Sequence, residues 1–258
     1  MERVGHLGTL DPFAAGLLVV VVGRATRLAP FAAGWTKAYD GVIRLGVTTE
    51  TDDGTGPVVT VSEAWRDLSA ERVTAALWEF EGVHEQRPPA FSAVKVAGER
   101  AHRRARRGEA VQLAPRRVDI RELAVVEFRP PDVQFRATVG AGTYLRSLAR
   151  DLGAALGCGA HLAALTRTAV GPFRLDQAVA PGEVTPATLS DPATLVADLP
   201  RRVLDEGERA AVMHGRPVPK MEGMAEGARV ALFTGDELVA VAEQVGDVLK
   251  PRVVVGAP

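Results

Sequence analysis

One carboxylate stands out by its surroundings, because Asp11 is the only acidic residue in the segment GHLGTLDPFAAG at positions 5–16. A fixed carboxylate can act as a nucleophile or a general base without a metal or a cofactor. The dipeptide Asp11-Pro12 is also typical of a helix start, with Asp11 as the N-cap and Pro12 at the first helical position. Taken by itself, the dipeptide favours the helix start, and catalysis needs further support.

Two other side chains have the right chemistry to act with Asp11. Arg146 lies at the start of a predicted helix, where the helix dipole disfavours a cation, so its position indicates a carboxylate nearby. Tyr39 is one of two tyrosines in the chain and lies in a predicted strand. A tyrosine in a strand is most often part of the core, so Tyr39 alone does not indicate a site.

The elements that must position these residues form a mixed α/β pattern. Apolar, β-branched runs predict strands at 17–22, 37–47, 118–128, 133–139 and 161–170. Ser69 is a suitable N-cap for a helix with apolar residues at helical spacing. The leucines of 145–156 lie on one side of a second predicted helix.

The chain divides into a large body and a small β-rich region. Residues 179–200 are rich in Pro, Ala and Thr, which is typical of a connection. Beyond them, apolar runs at 228–233 and 238–243 flank a Thr-Gly-Asp-Glu turn and predict a hairpin. We therefore expect one domain over residues 1–180 and a second over residues 200–258.

The composition is that of a folded protein, with 47% apolar residues, 24% charged residues and a net charge of −1. No stretch of about 18 apolar residues and no signal peptide is found, so we expect a cytoplasmic protein. The single cysteine, Cys158, lacks the neighbouring ligands of a structural zinc site and is predicted to be buried. Basic residues concentrate between Lys95 and Arg117, where eight stand against two acids.

The segment at 5–16 resembles the motif G-H-x-G-T-L-D-P-x-A-x-G of TruB-type pseudouridine synthases. Three later family blocks follow in the same order: Lys37-Ala38-Tyr39, Gly142-Thr143-Tyr144-Leu145-Arg146 and Gly157-Cys158-Gly159-Ala160-His161-Leu162. The resemblance covers most of residues 4–175, and residues 204–255 look like the PUA domain of bacterial members. It implies an α+β fold with a mixed, mainly antiparallel sheet flanked by helices, plus a small β-rich PUA-like domain.

The resemblance implies an isomerase that converts uridine 55 in the T loop of tRNA to pseudouridine, with no cofactor and no metal. Asp11 matches the family's catalytic carboxylate, which attacks the sugar, attacks the base or removes a sugar proton. Arg146 is expected to pair with Asp11, and Tyr39 to pack on the uracil. Tyr144 and Leu165 are expected to line the pocket, although an ordinary core position is almost equally favoured for Leu165.

Two further regions are expected to contact RNA. The target uridine must be flipped out of the loop, and His6 is expected to stack in the gap that it leaves. The basic stretch 87–117 resembles a family insertion that clamps the T arm, where we expect Lys95, Arg103 and Arg106 to bind the RNA. Without the resemblance, such a charge run would be interpreted as a solvated face.

The expected partner is the T arm of tRNA, bound by a monomer without membrane contact. One alternative is a catalytically impaired RNA-binding protein or tRNA chaperone of the same fold. A nucleotide-binding α/β protein is a weaker alternative, because no G-x-x-x-x-G-K-[ST] or G-x-G-x-x-G follows a strand. Family members carry a D-K-P-x-G-x-T-S segment that is absent ahead of Gly5, so we expect a missing edge strand and lower stability.

Overall fold

The structure, a computed structural model, describes residues 3–96, 98–109, 111 and 113–256. The α-helices are α1 (Ala70–Trp78), α2 (Ala101–Arg106), α3 (Leu145–Ala155) and α4 (Glu206–Met213). The strands are β1 (Val4–His6), β2 (Ala15–Gly16), β3 (Val20–Val22), β4 (Lys37–Leu45), β5 (Val47–Thr49), β6 (Val58–Val61), β7 (Gly82–Gln86), β8 (Lys95–Val96), β9 (Glu99–Arg100), β10 (Arg116–Arg129), β11 (Asp132–Val139), β12 (Ala160–Val170), β13 (Phe173–Arg174), β14 (Arg201–Val203), β15 (Val218–Pro219), β16 (Arg229–Thr234), β17 (Glu237–Val245) and β18 (Val248–Val254).

These elements belong to two compact units. The first unit comprises Met1–Gly8, Val19–Ala33 and Val179–Pro258, and the second comprises Thr9–Leu18 and Gly34–Ala178. The three residues with predicted catalytic roles all lie in the second unit.

A seven-stranded sheet organises the second unit. Its order is β13-β12-β4-β11-β10-β7, with β2 running parallel to β12 at one side. The central strand β4 pairs antiparallel with both β11 and β12. In β11, Val133, Phe135, Ala137 and Val139 are buried and alternate with less buried residues, as a period of two requires. These residues and the apolar faces of α1 and α3 form one core.

The two longer helices of the second unit begin where the sequence predicts. At the start of α1, the Ser69 hydroxyl accepts a hydrogen bond from the Arg72 amide at 3.3 Å. In α3, Leu148 and Leu152 lie one turn apart and are fully buried. Each leucine buried in this way contributes about 1.5–3 kcal/mol relative to an exposed one. Packing of α3 on the sheet therefore fixes the backbone position of Arg146.

The segment around Asp11 does not start a helix. Residues 11–14 form a turn, closed by the Ala14 amide donating to the Asp11 carbonyl at 2.9 Å. The chain then enters β2, whose Gly16 has φ +101°, a backbone conformation that L side chains rarely adopt. The interpretation of Asp11 as a helix N-cap is therefore wrong.

The strand expected at 17–22 is shorter than predicted, because only β3 at its C-terminal end is a strand. The Leu17 amide donates instead to the Arg167 carbonyl of β12 at 2.8 Å. Leu17 therefore belongs to the large sheet, whereas Val20 pairs with His6 in the first unit. One apolar run serves two units, and local sequence pattern does not reveal that division.

A five-stranded sheet organises the first unit, in the order β14-β16-β17-β18-β15. The predicted hairpin is confirmed, because β16 and β17 pair antiparallel up to Thr234 and Glu237. Helix α4 begins at a reciprocal capping box between Asp205 and Glu208 and buries Val212 against this sheet. The mixed sheet and the β-rich C-terminal region confirm the predicted fold class. Among the described residues, no helix is long and apolar enough to cross a membrane.

Candidate active site

Asp11 and Arg146 form a two-pronged ion pair. Arg146 Nε donates to Asp11 Oδ2 and Arg146 Nη2 donates to Asp11 Oδ1, both at 3.0 Å. The planar guanidinium fits a carboxylate in this way, whereas a lysine ammonium does not. The Arg146 side chain is 6% exposed and that of Asp11 is 31% exposed. The arginine is thus the buried partner, and the carboxylate is the one that opens outward.

The guanidinium of Arg146 is held by other segments as well. Nη1 donates to the Thr51 carbonyl and Nη2 to the Phe91 carbonyl, each at 3.1 Å. Asp53 Oδ2 lies 3.6 Å from Nη1 and supplies a second carboxylate. A buried arginine is tolerated when its charge is paired and its N–H groups are hydrogen-bonded. These contacts hold the Arg146 guanidinium in place, and the guanidinium in turn fixes the orientation of the Asp11 carboxylate.

Asp53 is a site residue that the sequence analysis missed, because the cluster Asp-Asp-Gly-Thr-Gly at 52–56 is by itself typical only of a turn. Its carboxylate is 7% exposed and accepts hydrogen bonds from the hydroxyls of Thr51 at 2.7 Å and Thr55 at 2.6 Å. A signal was present in the chain: two adjacent acids before a glycine, and two arginines one helical turn apart at 146 and 150.

Asp52, the other acid of this turn, binds the second arginine. Arg150 Nη1 donates to Asp52 Oδ2 at 3.2 Å, and Arg150 Nε donates to Asp151 at 2.9 Å. Burial raises the pKa of Asp52 above its usual value, and the Arg150 charge opposes that shift. Asp52 has φ +59°, a left-handed conformation that suits Asp and Asn better than most residues. The turn thus contacts α3 at two residues that lie one helical turn apart, Arg146 and Arg150.

Tyr39 lies in β4 directly opposite Arg167 of β12. Its side chain is half-buried, and this burial raises the pKa of the phenol. The Arg167 guanidinium lowers the pKa of Tyr39, whereas the Asp11 carboxylate raises it by a smaller amount. Arg167 was missed by the sequence analysis.

Tyr144 immediately precedes α3, two residues from Arg146. Its amide donates to Gln86 Oε1 at 2.9 Å. Its side chain packs on a small apolar cluster in the basic stretch, formed by Val94, Ala101 and Leu113. Tyr144 thus connects that stretch to the helix that carries Arg146.

Leu165 lies in β12 opposite Gly41 and is 7% exposed. It belongs to the core of the large sheet and also borders an open groove of about 250 Å³ together with Phe135. Leu165 is therefore a core residue that also borders this groove.

His6 lies in the first unit, in β1, opposite Val20 of β3. Its side chain is exposed. Asp11 lies in the second unit, so stacking of His6 in the T loop stays a prediction for the RNA complex.

The basic stretch forms β8, β9 and α2 between β7 and β10. Two of its arginines are paired with acids: Arg104 with Glu109 at 2.7 Å, and Arg107 with Glu109 at 2.8 Å and Glu99 at 2.7 Å. Hydrogen bonds from these arginines lower the pKa of both glutamates. The charges of Arg104 and Arg107 are therefore largely compensated within the protein.

Arg103 and Arg106 differ from those paired arginines. Both side chains are exposed, and neither makes a salt bridge to another residue within the described ranges. Lys95 lies in β8, and its side chain is outside the part of the chain that the structure describes. Two of the three basic residues predicted to bind RNA thus present their charged groups to solvent without a salt bridge among the described residues.

Of the two carboxylates that face Arg146, Asp11 is the more exposed and is held in a fixed orientation, whereas Asp53 is buried. A carboxylate held in this way can attack carbon or remove a proton, and fixed geometry lowers the barrier to either step. In the ranges that the structure describes, no three His, Cys, Asp or Glu side chains are grouped to bind a metal ion.

The protein has the mixed sheet and the Asp11–Arg146 pair that its resemblance to pseudouridine synthases implied. Fold and site together therefore place it in the class of pseudouridine synthases, which are isomerases. A crystal structure of a Cbf5-Nop10-Gar1 complex is similar, with a TM-score of 0.73 and 28% identity, covering 98% of this chain and 77% of that one. A structure of an H/ACA RNP bound to a substrate RNA containing 2'-deoxyuridine also gives a TM-score of 0.73, with 25% identity over 100% of this chain and 77% of that one.

Sequence comparison defines the family. Residues 1–145 match the family described as TruB family pseudouridylate synthase (N terminal domain), and residues 146–210 match the tRNA pseudouridylate synthase B C-terminal domain. The tRNA pseudouridine synthase B of Thermobifida fusca (strain YX) is 43% identical over 98% of this chain and 89% of that protein. That of Synechococcus sp. (strain CC9311) is 43% identical over 98% and 88%. The chain belongs to the TruB family of pseudouridylate synthases.

Proposed function

We propose that this enzyme isomerises uridine 55 in the T loop of tRNA to pseudouridine, with Asp11 as the catalytic carboxylate. Its relatives act on tRNA by name, at 43% identity over nearly the whole chain, which supports tRNA as the substrate. The observation that carries the role of Asp11 is its two-pronged pairing with the buried Arg146. A tRNA substrate also favours the cytoplasm as the place of action.

The reaction breaks the bond between N1 of uracil and C1′ of ribose and forms a bond between C5 and C1′. The proton on C5 is lost and N1 gains a proton, so the product is an isomer and no electrons are exchanged. Asp11 acts by attacking the sugar, attacking the base or removing a sugar proton. Each route needs a carboxylate whose position does not change with the rotating base, and Arg146 supplies that constraint.

The remaining site residues have supporting roles in this proposal. Tyr39 packs on the flipped uracil, and Tyr144 and Leu165 border its pocket. His6 stacks in the loop where the uridine has left, which offsets part of the few kcal/mol that flipping costs. Burial and, to a smaller extent, the Asp11 charge raise the pKa of Tyr39, which supports its assignment to the site.

RNA binding is assigned to two regions outside the catalytic centre. The stretch 87–117 binds the T arm, with Lys95, Arg103 and Arg106 as contacts. Residues 200–258 form a PUA-like RNA-binding domain. Residues 1–180 form the catalytic domain in this proposal, although Met1–Gly8 and Val19–Ala33 belong to the same compact unit as the C-terminal residues. The enzyme acts as a monomer in this proposal, because all the proposed catalytic groups come from one chain.

The test uses a T-arm stem-loop whose uridine 55 carries tritium at C5. The protein should release tritium from this RNA and leave an RNA with cytidine at position 55 unchanged. Asp11→Asn should abolish release and keep RNA binding within a few fold, because the amide has nearly the same shape without the charge. Binding by the unmodified protein without tritium release would favour an RNA chaperone. Full activity of Asp11→Asn would overturn the role of Asp11.

A further inference from the structure

Arg167 holds both ends of the segment that carries Asp11. It is fully buried, and its Nε donates to the Leu17 carbonyl at 2.7 Å while Nη1 donates to the Thr9 carbonyl at 3.3 Å. The backbone adds a third contact, because the Leu17 amide donates to the Arg167 carbonyl at 2.8 Å. Residues 9 and 17 flank the turn at Asp11, so one side chain fixes where that turn begins and ends.

The same residue also lies opposite Tyr39. The two residues are direct partners across β4 and β12, and the Arg167 charge lowers the pKa of the Tyr39 phenol. An arginine carries donors and no acceptor, so the Tyr39 hydroxyl cannot donate its proton to Arg167. Arg167 thus places a fixed positive charge beside Tyr39 and also holds the position of the turn.

The backbone of β2 packs closely against the backbone of Arg167 in β12. A Cβ added to Gly16 would lie 2.4 Å from the Arg167 carbonyl oxygen, so only glycine lets β2 approach this closely. A buried cation is not by itself a stabilising choice, because an apolar residue of similar size often fits a core at least as well. Its place between two predicted catalytic residues therefore needs another explanation.

We propose that Arg167 is a positioning residue for the isomerisation, which acts by holding the Asp11 turn at residues 9 and 17 and by placing its positive charge opposite Tyr39. The proposal rests on the proposed function of Asp11 and Tyr39. It assigns no contact between Arg167 and the RNA. Its loss should therefore affect the chemical step far more than RNA affinity.

The first experiment compares Arg167→Lys and Arg167→Gln with the unmodified protein in single-turnover tritium release from saturating T-arm RNA. A loss of fixed geometry by about 1 Å costs on the order of 100-fold in rate, and we expect a fall of that size with Kd changed less than the rate. Val133→Ala is the control for a generally weakened core. Val133 is fully buried in β11 and pairs with Ile43, toward the other end of β4 from Tyr39.

The second experiment measures Tyr39 directly. The chain has two tyrosines, so labelling with ¹³Cζ-tyrosine gives two signals, and Tyr144→Phe assigns them. Because the guanidinium favours the phenolate, the pKa of Tyr39 should rise in Arg167→Gln, and Arg167→Lys should restore part of the difference. In Val133→Ala it should stay as in the unmodified protein. An unchanged pKa of Tyr39 in Arg167→Gln would show that the Arg167 charge does not act on Tyr39.

The outcomes separate this inference from the proposed function. An unmodified protein that releases no tritium refutes the function, whatever the variants do. An active parent with folded Arg167 variants that match Val133→Ala in rate refutes the positioning role. If both Arg167 variants fail to fold, Tyr39→Phe tests the contact from the other side: it should shift the ¹⁵N guanidinium signal of Arg167 but not that of Arg146. An unshifted Arg167 signal would overturn the proposal.

Discussion

Arg146 is the buried member of its pair with Asp11, 6% against 31% exposed, although both hydrogen bonds between them measure 3.0 Å. The difference in exposure gives the two residues different tasks. Arg146 is fixed by carbonyls at 51 and 91 as well, so its geometry does not depend on Asp11. Arg146 holds one side of the Asp11 carboxylate and leaves the other side exposed, which the catalytic role proposed for Asp11 requires.

The first prediction concerns the two parallel hydrogen bonds that Arg146 donates to Asp11. Arg146→Lys keeps the charge but cannot make two parallel hydrogen bonds, so we expect the single-turnover rate to fall by about 100-fold or more. The matched control is Arg44→Lys, because Arg44 makes the same two-pronged contact with Asp132 at 2.8 Å on the exposed surface. That variant should cost at most about 1 kcal/mol of stability and leave the rate unchanged. Similar rates for the two variants would show that the paired hydrogen bonds between Arg146 and Asp11 are not needed for the reaction.

The second prediction concerns the close approach of β2 to β12. Gly16→Ala places a Cβ 2.4 Å from a backbone oxygen and forces an unfavourable φ of +101°, so the segment carrying Asp11 has to move. We expect a stability loss of about 1–3 kcal/mol and a larger relative loss of rate. Gly34→Ala is the control, because its Cβ meets no heavy atom within 4 Å. Thermal melts and single-turnover rates on both variants decide it; an active Gly16→Ala would show that the approach is dispensable.

Sequence pattern was sufficient where local periodicity and long-range structure agree. The alternation in β11 and the leucine spacing in α3 predicted both elements, because each buries one continuous face in the same core. The position of Arg146 at a helix start indicates a nearby carboxylate, but only motif resemblance identified it as Asp11, because the two residues are 135 positions apart. No local rule connects residues at that separation.

The sequence analysis missed Asp53 and Arg167 for the same physical reason. Asp53 lies in a turn whose local signature is complete without any contact to Arg146. Arg167 lies in a strand, where an arginine is normally interpreted as facing solvent. Its burial becomes understandable only once β2 and β4 are known to flank β12. Both residues take their roles from tertiary contacts that leave no periodic trace in the sequence.

The third prediction concerns the exposed arginines of the basic stretch. Arg103→Gln and Arg106→Gln should each reduce the slope of log K against log salt by about 0.7–0.9 if each neutralises one phosphate. Arg107→Gln should change that slope less, because Arg107 is already paired with Glu99 and Glu109. Arg66→Gln, an exposed arginine outside the stretch, is the control. Equal slopes for all the variants and the parent would return this stretch to the interpretation as a solvated face.

The fourth prediction concerns the pH dependence of stability at Asp52. Burial raises the pKa of Asp52 in the folded protein above its ordinary value of 3.8, and the Arg150 charge opposes that shift. Between that value and the raised one, the folded state holds a proton that the unfolded state has released. This term therefore favours folding most below pH 3.8 and is lost as the pH rises through the folded pKa. Asp52→Asn has no such group, and Asn tolerates the left-handed φ of +59° at this position.

The quantity to measure is the melting temperature of Asp52→Asn minus that of the parent, from about pH 3 to pH 7. We expect the difference to increase with pH across the window above 3.8 and then level off, because other titrating groups cancel between the two proteins. Arg150 keeps Asp151 and the Arg87 carbonyl as partners, which limits the constant cost of losing its contact with Asp52. Asp52→Gly also accepts the backbone conformation and should give the same pH dependence with a different offset. A difference that falls with pH would mean that Arg150 outweighs burial and that the carboxylate is stabilised in its charged form.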